Sequence, residues 1–411
     1  MPAGAIRVGV VGCGVVAAAY YLPYLRRQPD VALVAVCDTN PTRAAACARL
    51  FGARTYYTDY QAMLDGADLD AVFILTGPTS HARFTLAAVS AGKHVLLQKP
   101  MALTMDDAHA IVAAVRRTGV RVLVEPSAAS PLEAPLYPRL RDLVRQGAIG
   151  RPLWFTWMPA IATSYHPSLG GNPYGAAAFY ARDSGGMLLD FPYAPTQIAT
   201  ILGSCRRVTG LGAISVPNRY IVPDAEYDRF LSGATDPDHA NYWKVVVNLP
   251  RTQPVRMEAE DTVFSLYEMD CGAIGVFHIA RALHPMPPGV AAGGFHVFGD
   301  RGNLVIGGTG HGASLLTTRA DLALTADVDG WCHLDDGRIH GPSQWPIPAP
   351  GSFNYYHEST RHLLDCILED RDPLLNVEWG RHITEMLLGA LESSRTGQRY
   401  EMTTTLDGLR P

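Results

Sequence analysis

The chain has 411 residues, 47% hydrophobic and 18% charged, with a formal charge of −5 and a pI near 6.3. It is long enough for two domains and a sizeable core, and its weak acidity argues against a basic face for nucleic acid. Its seven scattered cysteines never form a CxxC, and no stretch reaches the roughly 18 to 20 apolar residues of a membrane span, so it reads as a cytoplasmic protein with reduced thiols.

The opening AIRVGVVGCGVVAAAYYL lacks the basic start of a signal peptide and is broken by glycines at turn positions. Instead, IRVGVVG (6–12) reads as a β-strand and VVAAAYYLPYLRR as the helix after it. VALVAVCD (31–38) and PTRAAACARLFG repeat the unit, with proline near the helix start and Gly52 near its end. DLDAVFILT, HARFTLAAVSAG, KHVLLQKP, MDDAHAIVAAVRRTG and VRVLVEP continue the alternation to residue 126. Continuous Val/Ile/Leu strands separated by helices predict an α/β fold, with a parallel sheet covered on both faces.

Gly12-Cys13-Gly14-Val15-Val16-Ala17 follows the first strand and opens the first helix, the arrangement of a dinucleotide fingerprint. Gly12 suits the tight turn, Gly14 leaves room for a pyrophosphate, and Ala17 allows close helix packing. Asp38 closes the second strand about 20 residues later, where a carboxylate can accept from the ribose hydroxyls and repel a 2′-phosphate. NAD is therefore favoured over NADP; the lesser alternative is that Asp38 merely begins a turn with Thr39 and Asn40.

From about residue 129 the rhythm changes, which places a domain boundary between 1–128 and 129–411. PLYPRLRDLVRQGAIG reads as a helix, and RPLWFTWMPA, YWKVVVNL, RMEAEDTVFSLYEM, GAIGVFHIA, GGFHVFG and GNLVIGG read as strands of a large, mostly antiparallel sheet. The polar, proline-bearing stretch from Ile214 to Tyr242 reads as an insertion or lid on that sheet. NYYHESTRHLLDCILED and WGRHITEMLLGALESS read as amphipathic helices that return to the body. Fourteen histidines form no HxH or HExxH motif, so no metal site is expected.

Four stretches carry a resemblance: the strand, GCGVVA and Asp38 opening; ILTGPTSHARFTLAAVSAGKHVLLQKPMALT; GGMLLD (185–190); and LESSRTGQ near the end. Together they resemble the glucose-fructose oxidoreductase and inositol dehydrogenase (Gfo/Idh/MocA) family. That resemblance implies a Rossmann domain, a second α/β domain whose broad sheet commonly forms a dimer or tetramer face, and NAD(P)-dependent hydride transfer. It makes Gly12, Cys13, Gly14, Val15, Val16, Asp38, Thr39, Arg43, Thr76, Gly77, Pro78, His81, Gln98 and Lys99 candidate cofactor contacts.

Lys99 matches the lysine of the family's EKP motif, which contacts the nicotinamide region and the reacting hydroxyl, and Pro100 matches the proline that shapes the turn. Gln98 stands where glutamate is usual, which removes an ionic neighbour from Lys99. Asp190 matches the first aspartate of a DxGxHxxD pattern, but no histidine follows it. One register aligns Tyr193 and Thr196 with the family's histidine and second aspartate; the other aligns Ala194 and Gln197.

The first register is preferred because some family members resemble this chain in carrying tyrosine there. Lys99, Tyr193 and Asp190 are then the candidate catalytic residues, with a nearby ammonium able to lower the phenol's pKa. A structural alternative makes Asp190 a helix cap and Tyr193 a core aromatic. The Gly/Tyr/Pro-rich stretch before GGMLLD suggests a pocket wall, with Tyr165, His166, Tyr180 and Arg182 as candidate substrate contacts, together with Thr196. The expected activity is oxidation or reduction at a secondary alcohol of a sugar, nucleotide-sugar or cyclitol; transient redox leading to elimination or epimerisation, and a non-catalytic NAD/metabolite sensor, are the alternatives.

Overall fold

The computed structural model describes residues 4–128, 130–132, 136–158, 181–237, 249–280, 294–307, 312–335 and 354–407. Strands β1 (Ile6–Val11), β2 (Val31–Cys37), β3 (Thr55–Tyr57), β4 (Ala71–Ile74), β5 (His94–Leu97) and β6 (Val122–Val124) form one sheet in the order β3-β2-β1-β4-β5-β6. Every pairing is parallel. Four strands run almost wholly buried because helices cover both faces, as their unbroken apolar sequences require.

The order reverses beside β1, which opens a crevice at the carboxyl ends of β1 and β4. Helix Pro41–Phe51 begins where Asn40 Oδ1 accepts from the amides of Thr42 and Arg43, and Met105–Thr118 begins where Thr104 accepts from Asp107. The first helix departs from its expected form: Ala17–Tyr21 is π-helical and passes into Leu22–Leu25. Pro23 lacks the amide that a continuous α-helix would need at that turn.

Among the described residues the second sheet has nine strands. To β7 (Pro152–Trp157) it adds β8 (Cys205–Ala213), β11 (Thr262–Met269), β12 (Ile274–Ala280), β13 (Phe295–Gly299), β14 (Gly302–Ile306), β15 (Gly312–Thr317), β16 (Trp331–Asp335) and β17 (Tyr400–Glu401). Their order is β16-β15-β14-β13-β7-β12-β11-β8-β17, antiparallel except where β7 meets β12. Between β8 and β11, strands β9 (Asn218–Ile221) and β10 (Gln253–Arg256) pair antiparallel, and among the described residues with each other alone. The expected strand YWKVVVNL falls mostly at 242–248, outside the described residues.

Along β11 the side chains alternate: Val263, Tyr267 and Met269 are buried, whereas Phe264 and Leu266 face outward. The buried face packs on helices Tyr193–Leu202 and Val377–Thr396, the latter so closely that a Cβ on Gly210 would lie 2.0 Å from Ala390 O. Val377–Thr396 also touches β6, where a Cβ on Gly380 would meet the Val124 side chain at 2.8 Å. The C-terminal helices thus return to the body and join the two domains. The Ile214–Tyr242 insertion is placed differently from its expected position on the sheet: its helix Asp224–Gly233 leaves the second domain and packs against Pro41–Phe51 of the first.

Acid sensitivity follows from three histidines. His382 is fully buried, 3.1 Å from the Cys205 amide and 2.8 Å from Thr404 Oγ1. Burial holds it at about 4, and His357 and His362 are likewise pushed down to about 4. An ordinary histidine titrates near 6.5, so the stability of these neutral rings is present above that pH and lost as pH falls toward 4. Urea unfolding at pH 7 and pH 4 should differ by about 3 kcal/mol for His382 alone, and His382→Gln should remove that part of the difference.

Candidate active site

The crevice is shaped by backbone first. Gly12 adopts a left-handed φ of +94°, and a Cβ there would fall 2.7 Å from Leu75 O and 2.8 Å from Thr76 N, so only glycine lets β1 turn beside the end of β4. Gly14 and Gly77 are different: a Cβ on either would meet nothing within 4 Å. The crevice therefore combines a packing glycine, Gly12, with two glycines that border open space, Gly14 in the fingerprint and Gly77 in the turn after β4, as a pyrophosphate cradle requires.

Asp38 follows β2, accepting the Cys13 amide at 2.8 Å and the Asn40 amide at 2.9 Å. These bonds fix its carboxylate beside the fingerprint, where ribose hydroxyls would be bound. Val15 and Val16 are part-buried in the opening turn and Thr39 is exposed beside Asp38. Pro78 is buried in the next turn, while Thr76 Oγ1 meets Ser80 Oγ at 2.6 Å.

Two expected cofactor contacts are engaged elsewhere. His81 is fully buried, its ring nitrogens 2.7 Å from Pro100 O and 3.0 Å from Thr76 O, so it ties the β4 turn to the QKP turn and exposes no atom to a ligand. Burial lowers its pKa. Arg43 pairs through Nε with Asp228 and lies 3.4 Å from Asp224.

The QKP turn follows β5 and contains a cis Lys99–Pro100 bond. Lys99 Nζ donates to Asp190 Oδ1 at 2.5 Å and to Asp190 O at 3.0 Å, with the two side chains only 12% and 5% exposed. The same ammonium sits 5.5 Å from the Tyr193 ring centroid, within cation–π range. Lys99, Asp190 and Tyr193 are thus brought together from both domains.

GGMLLD explains how. Gly185 and Gly186 have φ of +75° and +68°; a Cβ would strike Leu189 Cδ1 at 2.1 Å in one case and Ala259 Cβ at 2.6 Å in the other. This double left-handed turn starts the short helix Gly186–Leu189, which ends at Asp190, and Pro192 then caps Tyr193–Leu202. The acid therefore sits at a helix junction beside Lys99, and the phenol stays half-buried among Phe191 and Tyr355.

The alternative register places Ala194 in the core, while Gln197 Nε2 donates to Tyr137 OH at 2.6 Å and Gln197 Oε1 accepts from Trp157 Nε1. Thr196 is buried, with no hydrogen-bond partner for its hydroxyl among the described residues. Arg182 is exposed in a turn near Pro78–Ser80. Tyr165, His166 and Tyr180 lie outside the described residues.

A buried acid missed in the sequence lies behind the lysine. Gln98 Nε2 donates to Tyr21 OH at 2.6 Å, Tyr21 OH donates to Glu125 Oε1 at 2.8 Å, and Glu125 also accepts from Ser359 Oγ and, at 2.6 Å, from the Ser127 amide. Burial raises the Glu125 pKa, and the hydroxyl and amide donors oppose that rise. The signal was present in VLVEP, an acid closing an apolar strand as Asp38 closes β2.

Comparison with known proteins agrees with this geometry. A family profile described as "Oxidoreductase family, NAD-binding Rossmann fold" matches residues 6–126, and one described as "GFO/IDH/MocA C-terminal domain" matches residues 137–305. The chain is similar to a dTDP-3,4-didehydro-2,6-dideoxy-alpha-D-glucose 3-reductase of Streptomyces antibioticus, with 31% identity over 48% of this chain and 57% of the relative. It is also similar to inositol 2-dehydrogenase 3 of Saccharopolyspora erythraea, with 32% identity over 47% and 56%. These matches span about half the length of the curated relatives. An oxidoreductase domain protein from Kribbella flavida shares the fold at a TM-score of 0.73 and 22% identity, over 97% of this chain and 99% of that one.

The two kinds of glycine should separate on substitution. Gly12→Ala should lower thermal stability because its Cβ collides with backbone at positive φ, at a cost of about 1–3 kcal/mol or more. Gly14→Ala should melt near the wild-type temperature yet lose affinity in a dinucleotide titration, because its methyl enters open space.

Proposed function

Because the chain belongs to the Gfo/Idh/MocA oxidoreductase family, we propose that it moves a hydride between NAD and a secondary alcohol carbon of a sugar, nucleotide-sugar or cyclitol. The observation that carries this reading is the meeting of Lys99, Asp190 and Tyr193 beside the QKP turn. The residues around the crevice fit a dinucleotide: Gly14 and Gly77 leave space, and Asp38, held by the Cys13 amide, would accept from ribose hydroxyls. Bound NAD supplies hydride acceptance and return at its nicotinamide ring.

The protein's own groups supply the rest. The Lys99 ammonium stabilises negative charge on the carbinol oxygen as the hydride leaves. Tyr193 takes the hydroxyl proton as a phenolate during oxidation and, as the phenol so formed, returns a proton to the carbinol oxygen during reduction. Asp190 holds the ammonium in place by accepting from it twice, and it is also a candidate hydrogen-bond acceptor for neighbouring substrate hydroxyls.

Gln98 and the missing histidine prompted the sensor reading. Both changes are offset, since Asp190 gives Lys99 an ionic partner and Tyr193 stands near the ammonium. The seven unpaired thiols, six of them buried, support a reducing cytoplasmic setting. Among the described residues no helix is long and apolar enough to cross a membrane.

The second sheet also supports self-association. Phe264, Leu266, Leu211, Ile274 and Trp154 are 45–72% exposed on its outward face, a run of apolar side chains that burial in a homodimer or homotetramer would cover. Light scattering after gel filtration should report an oligomer, and Leu266→Asp should shift it toward monomer; a wild-type monomer would contradict this part of the proposal.

Activity is tested at 340 nm, with NAD and NADP against sugars, nucleotide sugars and inositols in both directions. NADH formation or consumption is expected with at least one of them. Lys99→Ala and Tyr193→Phe should each reduce kcat by about 10²- to 10⁴-fold. Unchanged turnover in Lys99→Ala would refute the catalytic scheme, and NAD binding without turnover across the panel would favour the sensor.

A further inference from the structure

The insertion reaches across to the adenosine end of the crevice. Its base is held by a buried Arg219–Asp261 ion pair at 2.8 Å, with Asp261 also accepting the amides of Ser215 and Val216 at 2.7 and 2.9 Å. From that base, helix Asp224–Gly233 lies against the fingerprint turn and helix Pro41–Phe51. Tyr227 OH donates to Cys13 O at 2.8 Å from a buried position. Arg49 reaches the other end of the insertion helix, donating to Ser232 O and Ala234 O at 3.1 and 3.2 Å.

The first turn of Pro41–Phe51 provides the side chains from which a phosphate on the adenosine ribose would be recognised. Its two nitrogen-bearing side chains, Asn40 and Arg43, are already engaged, while the Thr42 hydroxyl is exposed. Asn40 uses Oδ1 to cap the helix and Nδ2 to donate to Asp228 Oδ2 at 3.1 Å. Arg43 pairs with Asp228, lies 3.4 Å from Asp224, and has its guanidinium 5.3 Å from the Tyr227 ring centroid. Asp224 and Asp228 therefore flank the guanidinium in direct contact, and Asp38, whose carboxylate accepts the Asn40 amide, adds a third negative charge acting on it. A phosphate brought to this turn would face like charge, with its one guanidinium and the Asn40 amide committed to other partners.

We propose that helix Asp224–Gly233 is a cofactor-selecting element: by holding Asn40 and Arg43 and placing Asp224 and Asp228 near Asp38, it makes the site reject a 2′-phosphorylated dinucleotide. Asp228 acts as a positioning residue through Arg43. The inference rests on the reading of the crevice as a dinucleotide site and adds a second determinant to Asp38.

Calorimetric titration of the full-length protein with NAD, NADP and 2′,5′-ADP tests it, and thermal melting checks that each variant is folded. Wild type should prefer NAD. Asp228→Asn, which keeps the side chain's shape, should shift the NADP-to-NAD affinity ratio toward NADP by about tenfold or more and raise 2′,5′-ADP affinity in parallel. Asp224→Asn leaves the Tyr227 anchor and the Asp228 pair in place and should give a smaller shift in the same direction.

Adding Arg43→Ala to Asp228→Asn should abolish the gain, because the released guanidinium is what takes the phosphate. An unchanged ratio in both single variants, or a gain that survives Arg43→Ala, overturns this proposal and leaves NAD-dependent catalysis standing. Wild type that binds neither dinucleotide overturns both readings.

Discussion

The ammonium of Lys99 is enclosed where the two domains meet, and the position of the reacting groups depends on how that charge is compensated. A buried lysine is tolerated only beside an opposite charge with good geometry, and removing one partner of such a pair typically costs about 3–5 kcal/mol. The Asp190 carboxylate meets the condition, and the Asp190 carbonyl adds a second, neutral acceptor for the ammonium. Because the amine comes from the β5 turn and the acid from GGMLLD, the pair also sets how closely the domains approach at the site. The two left-handed glycines before Asp190 are part of the same constraint, since side chains there would push the junction away from the lysine.

Behind this pair the protein rearranges its acids. Gln98 brings no charge to the turn, but its amide reaches Tyr21 and through it the buried carboxylate of Glu125. Glu125 is nearly saturated with donors, so it fixes Tyr21 and Gln98 and thereby the backbone that presents Lys99. The lysine's ionic partner comes from the second domain, while the acid in the Rossmann half is set one strand over, at the end of β6.

The parallel half was legible because strands buried on both faces leave continuous Val/Ile/Leu runs and their helices carry ordinary caps, as at Asn40 and Thr104. β8 was not: CRRVTGLGA is rich in Arg and Gly because one face is outward and the other lies against a helix whose Ala390 and Ser394 crowd the Gly210 and Gly212 positions. Lys99 and Asp190 could each be read from their motifs, but not their mutual contact. The Glu125 network joins residues 77 to 234 positions apart, beyond the reach of any local pattern. Arg43 looked like a cofactor contact because its acidic partners lie some 180 residues downstream in a segment that reads as a lid.

Helix Val377–Thr396 carries a consequence for how the molecule is made. It closes over β6 and also lies under β8, and Val124 receives its amide acceptor from Leu375 just before it. The nucleotide-binding half therefore cannot complete its own core during synthesis until residues beyond 377 have emerged. Until then, apolar strand edges wait for partners some 250 residues away, a high-contact-order step that exposes the nascent chain to aggregation and to chaperone capture.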